Sequence, residues 1–286
     1  MDNEKALFAI RREAEMYRGL SGVFLRESID PNLIDYLNSW LTQRRLIDPA
    51  IFINKSLCLL EGAPFGGREL EISVYAGSVA AVSDDLIDRC GFKALDRVAL
   101  FTQSNEEFDL EGIYLLDFFN RKLKEMLPLD FTKKFRKIIF EYNRAQKDSR
   151  RLFDDFISPQ ELIDIKDRAG GYSVLLLHAM LFPDIELHQE EYPPVFDQRS
   201  ITQSLYLFGA WLSKIDDLWD ETKDRSVGMK QLATEGIVTW ESLKVETNRV
   251  LGYLKSYYPE TRVREMFQRY YAPLADKDMA VKYNVQ

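Results

Sequence analysis

Two groups of aspartates in this chain have side chains and spacings suited to binding a cation. They are Asp84, Asp85 and Asp88, and, further along the chain, Asp216, Asp220 and Asp224. Residues four apart share one face of an α-helix, where like charges cost about 0.2–0.5 kcal/mol per pair. Each group follows a largely apolar segment with helical spacing. Because carboxylate oxygens are the ligands that Mg²⁺ prefers, a bound Mg²⁺ would explain both groups.

The alternative interpretation is that each acidic group is a solvated helix face or a helix cap. One such group would fit that interpretation well, but two groups with the same four-residue spacing favour a metal site. Neither group has the Asp-x-Asp-x-Asp-Gly loop with a Glu at its twelfth position, so calcium binding of the EF-hand type is not predicted. Asp217 points about 100° away from Asp216 on a helix, so we expect it to act as a cap or to pair with a base.

Composition excludes several classes of protein. The 286 residues carry a net charge of −8, and no basic footprint for nucleic acid is present. The chain has no Lys/Arg tract of the kind that indicates binding to an acidic membrane surface. It also has no apolar run long enough to predict a transmembrane segment. The two cysteines, Cys58 and Cys90, match no metal-ligand spacing, and the N-terminus has no signal-like apolar core. These features predict a cytoplasmic protein.

Helical periodicity dominates the chain, and alternating strand patterns are missing. We therefore predict a single all-α domain over residues 1–286, with a loop at 183–196. Ser158-Pro-Gln-Glu161 is typical of a helix start with a capping box. The predicted helices are 3–26, 31–43, 47–61, 68–89, 93–103, 109–126, 130–156, 159–181, 197–222, 229–233, 237–258 and 260–272.

Aromatic side chains number 36, and most are expected to pack in the core. Some lie near the acidic groups in the sequence and could line a pocket for a cationic, apolar intermediate, to which ring faces are attracted. These are Tyr75, Phe92, Tyr114, Phe118, Phe119, Trp211 and Trp219. Of the two histidines, His178 lies in an apolar helix and is expected to be a core residue.

An all-helical chain with Asp-Asp-x-x-Asp on one helix and a second acidic stripe 132 residues later (216 − 84) resembles the class I isoprenoid synthases. Three local motifs are similar to the tetraprenyl-β-curcumene synthase family, which are bacterial terpene synthases acting on long prenyl diphosphates. The likeness extends over about residues 45–235. The motifs are Asp85-Leu-Ile-Asp88-Arg89-Cys90, Glu111-Gly112-Ile-Tyr114-Leu-Leu, and Asp216-Asp-Leu-Trp-Asp220-Glu-Thr-Lys-Asp224-Arg225-Ser-Val-Gly228.

The resemblance implies an antiparallel helical bundle around an apolar cavity. In this family two facing acidic helices hold Mg²⁺, three ions being the expected number, with Mn²⁺ able to substitute. The expected substrate is an allylic prenyl diphosphate, which is ionised and then cyclised or deprotonated with release of diphosphate. A homodimer is one arrangement that the resemblance leaves open. The basic residues near the motifs become candidate diphosphate ligands, each with a surface charge or a salt bridge as its alternative: Arg89, Arg168, Lys223, Arg225 and Arg269.

Departures from the family keep two alternatives open. Chain-elongating synthases carry a Gly-Lys-x-x-Arg-Pro signature and an Arg-Arg pair after the first aspartates. Here the corresponding residues are Asn54-Lys55, and the single Arg89 follows Asp88. The alternatives to a terpene synthase are therefore chain elongation with isopentenyl diphosphate and a non-catalytic helical subunit of a prenyl synthase. The second motif also has Asp220 and Asp224 where many terpene cyclases have a hydroxyl residue and a Glu.

Arg168 stands two residues before Gly170-Gly171 in a helical pattern. A Gly-Gly pair costs up to about 2 kcal/mol relative to alanine there, which predicts a helix break or a close approach of backbones. Terpene cyclases are similar at this point, with an Arg ahead of a helix break that senses the diphosphate. The alternative is that Arg168 pairs with Asp164 on an exposed face and that the glycines only let helices pack.

Overall fold

The protein is described by a computed structural model over residues 47–90, 111–153, 156–187, 200–227 and 230–277. In these ranges the chain is helical and contains no strand, so the all-α prediction is confirmed there. For residues 84–90 the description covers the backbone alone. Predicted helices 3–26, 31–43 and 93–103 lie outside the described residues.

Nine α-helices, one 3₁₀-helix and one π-helix make up the described part of the chain. The α-helices are α1 (Ile47–Glu61), α2 (Gly67–Cys90), α3 (Glu111–Met126), α4 (Phe131–Lys134), α5 (Arg136–Asp148), α6 (Pro159–Leu181), α7 (Ile201–Val227), α8 (Trp240–Tyr257) and α9 (Glu260–Met266). The 3₁₀-helix spans Ser149–Phe153, and the π-helix spans Phe267–Tyr271. None of the described helices combines the length and hydropathy needed to cross a membrane.

The start of α6 follows directly from its sequence. The Ser158 hydroxyl accepts the Glu161 backbone N–H at 3.3 Å, and the Glu161 carboxylate accepts the Ser158 backbone N–H at 3.1 Å. These two bonds satisfy donors that a helix start otherwise leaves unpaired. The bounds of α6 match the predicted range 159–181.

Helices α6 and α7 run antiparallel and form the most extensive helix pair of the fold. Their backbones touch at glycines: a Cβ added to Gly170 would lie 3.0 Å from the Ser213 Cβ and closer still to the carbonyl group of Gly209. A Cβ on Gly171 would overlap the ring of Tyr206. The glycines therefore allow a helix distance that alanine would prevent.

The remaining helices pack around this pair and enclose one apolar core. Helix α5 packs on α6 and α8 packs on α7, while α2 contacts both α1 and α3. The tight turn between α1 and α2 passes through Gly62, whose φ is 72°. The largest fully buried side chains are Trp211, Phe119, Phe131, Phe135, Phe208, Ile51, Leu57, Leu60, Ile72, Leu116 and Leu123.

Three predicted helices differ from the observed ones for local reasons. The range 130–156 is interrupted at Phe135 (φ −107°, ψ 24°), where the chain turns and buries both Phe131 and Phe135. In the described part of the predicted helix 229–233, residues 230–233 form no helix, because the carboxylate of Asp217 accepts the backbone N–H of Leu232 and holds it in a turn. The range 260–272 changes from an α-helix to a π-helix after Met266, which buries both Tyr270 and Tyr271.

Candidate functional site

The second acidic group lies on one helix, in the C-terminal half of α7, but its members differ in exposure. Asp216 is exposed, Asp220 is half-buried and Asp224 is buried. Each successive aspartate is rotated by about 40° around the helix axis, because 3.6 residues make one turn. The stripe therefore runs from an open face at Asp216 into the packed side of α7 at Asp224.

Asp216 has an unusual environment for an exposed carboxylate. Its surface is accessible to water, yet surrounding protein desolvates it and is the main cause that raises its pKa from 3.8 to about 6. The negative charges of Asp220, Asp217 and Asp224 raise the pKa further, whereas Lys166 lowers it. The surrounding protein and the neighbouring negative charges therefore disfavour the charged form of Asp216, although its side chain is exposed.

Asp217 has a structural role that is separate from the stripe. The Nζ atom of Lys166 lies 2.7 Å from Asp217 Oδ1, and the Leu232 backbone N–H donates to Asp217 Oδ2 at 3.1 Å. Asp217 is 1% exposed, so both contacts are buried. The prediction that Asp217 pairs with a base or caps a segment is confirmed on both counts. Sequence reasoning did not identify Lys166, because its sequence neighbours do not distinguish it from an ordinary surface lysine.

The start of α2 lies near the end of α6, because the Arg68 guanidinium donates to the Leu181 carbonyl at 3.5 Å. The first acidic group stands at the other end of α2, at Asp84, Asp85 and Asp88. We refer to the end of the bundle that carries Asp216 as the acidic end.

The side chains of the first group lie outside the described residues. Helix α2 includes Asp84, Asp85, Asp88 and Arg89 as backbone positions. Among the side chains that the structure describes, no group of three or more His, Cys, Asp or Glu residues is arranged as a metal site.

Arg168 is buried and holds two carboxylates. Its Nε donates to Asp164 Oδ2 at 2.9 Å, and a terminal nitrogen donates to Asp148 Oδ2 at 2.7 Å. The pair with Asp164 that the alternative predicted is therefore confirmed, but the Arg168 side chain is 6% exposed, so the predicted exposed location is wrong. Because Asp148 ends α5 and Arg168 lies in α6, the guanidinium ties these two helices together near the acidic end of the bundle.

The helix break predicted at Gly170-Gly171 does not occur. Helix α6 continues through both glycines to Leu181. The other half of that prediction, a close backbone approach, is confirmed by the contact of Gly170 with Gly209. The physical reason is that the absent Cβ atoms serve helix packing instead of a turn.

The other predicted diphosphate ligands are scattered. Arg225 is exposed and pairs with Glu221 at 2.9 Å, one turn earlier on α7. Arg269 is exposed, with its guanidinium 5.3 Å from the centre of the Tyr270 ring. The side chains of Lys223 and Arg89 lie outside the described residues.

A second buried charge network adjoins the acidic stripe and was also missed by sequence reasoning. Lys214 Nζ lies 3.2 Å from Asp167 Oδ1 and 2.5 Å from Glu246 Oε1. The three residues belong to α7, α6 and α8. Burial raises the pKa of Asp167, and the positive charge of Lys214 opposes that rise. The network fixes the helices that carry Asp216 and Lys166 relative to each other.

Most of the aromatic residues named above pack in the core. Tyr75, Phe119 and Trp211 are buried, and Trp211 donates from its indole N–H to Thr247 Oγ1 at 3.0 Å. Trp219 donates to the Leu274 carbonyl at 2.7 Å. Tyr75 on α2 and Phe119 on α3 have ring centres 6.3 Å apart. Phe92 and the Tyr114 side chain lie outside the described residues.

His178 lies at the opposite end of α6 from Lys166 and is fully buried, as expected. Its Nε2 is 2.7 Å from Glu61 Oε1, and the Tyr258 hydroxyl donates to the same oxygen at 2.8 Å. This cluster joins the ends of α1, α6 and α8 and takes no part in the acidic site.

Comparison of the chain with protein-family models, with curated proteins and with solved structures finds no match.

Proposed function

We propose that the chain is a Mg²⁺-dependent class I terpene synthase that ionises an allylic prenyl diphosphate. The observation that carries the proposal is the row of carboxylates on α7 around Asp216, whose pKa is raised to about 6, in a chain that has a second acidic group at the end of α2. In this interpretation the two groups face each other across the substrate. The all-α bundle and the sequence resemblance support the same conclusion.

The residues present fit Mg²⁺. Their donor set is oxygen only, and the raised pKa of Asp216 means that its charged form is destabilised until a cation balances it. The proposed ligands are Asp84, Asp85, Asp88, Asp216, Asp220 and Asp224. Bound there, Mg²⁺ would supply positive charge that neutralises the diphosphate as its carbon–oxygen bond breaks.

Residues of the chain itself would position the substrate and restrict which products form. The carboxylate of Asp217 keeps Lys166 beside the acidic stripe, so a positive charge remains close to Asp216. Apolar side chains of the core would exclude water from the allylic cation and fold the prenyl chain. Loss of a proton, after cyclisation or without it, then gives a hydrocarbon together with free diphosphate.

Arg168 is proposed to sense the diphosphate. In the structure its fork-shaped guanidinium already holds two carboxylates, Asp148 and Asp164, near the acidic end. A diphosphate would compete for the same donors, since guanidinium groups bind phosphate and carboxylate oxygens in the same geometry. Exchange of partners would couple substrate binding to the packing of α5 against α6.

The proposal is tested by incubating the purified protein with allylic diphosphates from C15 to C35 in the presence of Mg²⁺. A terpene synthase releases hydrocarbon or alcohol and free diphosphate, whereas chain elongation with added isopentenyl diphosphate gives a longer diphosphate. The variant D220N should lose this turnover, while E265Q, which changes an exposed carboxylate on α9, should keep it. A lack of product from every substrate would leave a non-catalytic subunit as the better interpretation.

A further inference from the structure

A surface at the end of the described bundle opposite Asp216 combines apolar and basic side chains. A groove of about 520 Å³ opens where α3 ends and α4 and α5 begin. Leu127, Pro128, Phe131 and Ile139 provide its apolar lining. At its rim Leu129 is 106% exposed and Phe140 is 61% exposed, so two large apolar side chains project into solvent. Solvated apolar side chains around a groove mark a binding surface.

Basic residues surround this groove. The segment 121–137 contains seven basic and two acidic residues, a local charge of +5 in a chain whose net charge is −8. Lys124 and Arg136 line the groove, and Lys133 and Lys137 line an adjoining pocket that also contacts Phe140. We refer to Lys124, Leu129, Lys133, Arg136, Lys137 and Phe140 as the basic–apolar patch.

Several exposed basic residues elsewhere on the surface have a carboxylate partner, whereas the basic residues of the patch are grouped without one among the described residues. Exposed Arg151, Arg225 and Arg264 each pair with a carboxylate at 2.9–3.0 Å. Within the described part of the chain, no carboxylate forms an ion pair with any of the four basic residues of the patch. Four uncompensated positive charges on an acidic protein indicate a negatively charged partner.

We propose that the basic–apolar patch docks the protein on the surface of an anionic lipid bilayer. Leu129 sits at the tip of the turn after α3, where it and Phe140 can enter the boundary between headgroups and acyl chains, while the groove takes an acyl chain. The lysines extend their apolar stems along the groove and keep their ammonium groups at the headgroup level. Three of the four cations are lysines, a residue type depleted in protein–protein interfaces, which favours lipid over an acidic protein.

The charge distribution also sets the orientation of docking. Helix α5 runs from Arg136 in the patch to Asp148, the partner of Arg168, over about 18 Å. The acidic end with Asp216 is therefore turned away from the patch. An anionic surface attracts the patch and repels the acidic end, so a protein of net charge −8 can bind in one orientation only. This inference does not rest on the proposed terpene synthase activity.

The test is co-sedimentation of the full chain with vesicles of phosphatidylcholine alone or mixed with phosphatidylglycerol. Wild type should bind the mixed vesicles, bind weakly to phosphatidylcholine, and dissociate as salt increases. The variant K133Q/K137Q should lower the partition coefficient about thirtyfold, since each basic residue at an anionic surface contributes about fivefold. L129S/F140S should lower it about tenfold.

Matched controls remove the same chemistry from other faces. K244Q/K255Q removes two lysines from α8, and V245S/F156S removes two exposed apolar side chains away from the patch. Both controls should bind as wild type does, and circular dichroism should show every variant folded. Equal binding by patch and control variants, or no binding to phosphatidylglycerol, overturns the proposal. Self-association that only the patch variants abolish, without vesicle binding, would assign the patch to a second copy of the chain.

Discussion

Lys166 on α6 and Asp217 on α7 form a buried ion pair, with 2.7 Å between Nζ and Oδ1, next to the exposed carboxylate of Asp216. The same aspartate holds the backbone N–H of Leu232, so one carboxylate joins two helices and the segment after α7. Asp217, the sequence neighbour of Asp216, therefore holds the part of α7 that carries the acidic stripe against α6.

Removal of one partner of this pair should destabilise the protein more than removal of both. In K166M the carboxylate of Asp217 stays buried without its cation, which should lower the free energy of unfolding by about 3 kcal/mol. The double variant K166M/D217N should recover part of this loss. Urea denaturation of the wild type, both single variants and the double variant measures the coupling. Additive single effects would contradict a direct interaction.

The raised pKa of Asp216 predicts a pH-dependent gain in stability when its charge is removed. The folded state binds a proton at Asp216 more tightly than the unfolded state, so this contribution is complete below pH 4 and is lost as the pH rises through about 6. At pH 7 the free energy of unfolding of D216N should therefore exceed that of the wild type. The expected difference is only about 1 kcal/mol, because exposure of Asp216 to water weakens the effect. At pH 4 the difference should vanish. Thermal melts between pH 4 and 8 test this, with E265Q as the control.

Mg²⁺ should stabilise the protein and support turnover. A cation that binds the folded state alone raises Tm with its concentration, and protons compete for Asp216, so the Mg²⁺-induced rise should be larger at pH 7 than at pH 5. EDTA should abolish turnover, and Mg²⁺ or Mn²⁺ should restore it. D85N and D220N should each lower turnover by orders of magnitude. Turnover that persists in chelator would contradict metal-dependent chemistry.

The fork of Arg168 should matter beyond its charge. R168K keeps the positive charge but cannot hold Asp148 and Asp164 together, and we expect kcat/KM to fall at least tenfold, a loss of about 1.4 kcal/mol. R225K, which changes an exposed arginine paired with Glu221, is the matched control. Kinetics are to be compared at a temperature where melts show both variants folded. Wild-type kinetics in R168K would restrict this arginine to a structural role.

Two glycine-to-alanine substitutions should have opposite effects on stability. In G170A the new methyl group overlaps the Gly209 carbonyl on α7, which should cost about 2 kcal/mol or more because two packed helices must separate. In G252A the methyl group points into open space on α8, so helix propensity should raise stability by up to about 1 kcal/mol. Chemical denaturation measures both. Equal effects would contradict the contact between α6 and α7.

Local sequence determined the elements whose ends depend on nearby residues. The capping box of Ser158 and Glu161 fixed the start of α6, and periodicity predicted α1 over its full range. The burial of His178 also followed from its apolar helical neighbours. Each of these depends on residues within a few turns of the same helix, which a linear pattern contains.

Contacts between distant residues decided the rest. The break at Phe135 depends on burying two rings, and the turn at Leu232 depends on a carboxylate fifteen residues earlier. The pairing of Lys166 with Asp217 requires α6 to lie antiparallel to α7 at the distance that Gly170 and Gly209 allow. Sequence reasoning also found no basic surface, because Lys124 and the residues at 133–137 meet around one groove only after the chain turns at Pro128.

The acidic end shows both contributions together. Residue type and spacing determined that the aspartates fall in two helical groups, since a 3.6-residue period acts within a single helix. Only tertiary structure decided that Asp216 is exposed with a raised pKa while Asp224 is buried. The reason is that exposure and desolvation of a side chain depend on which elements pack against its helix. The sequence of that helix alone does not specify those elements.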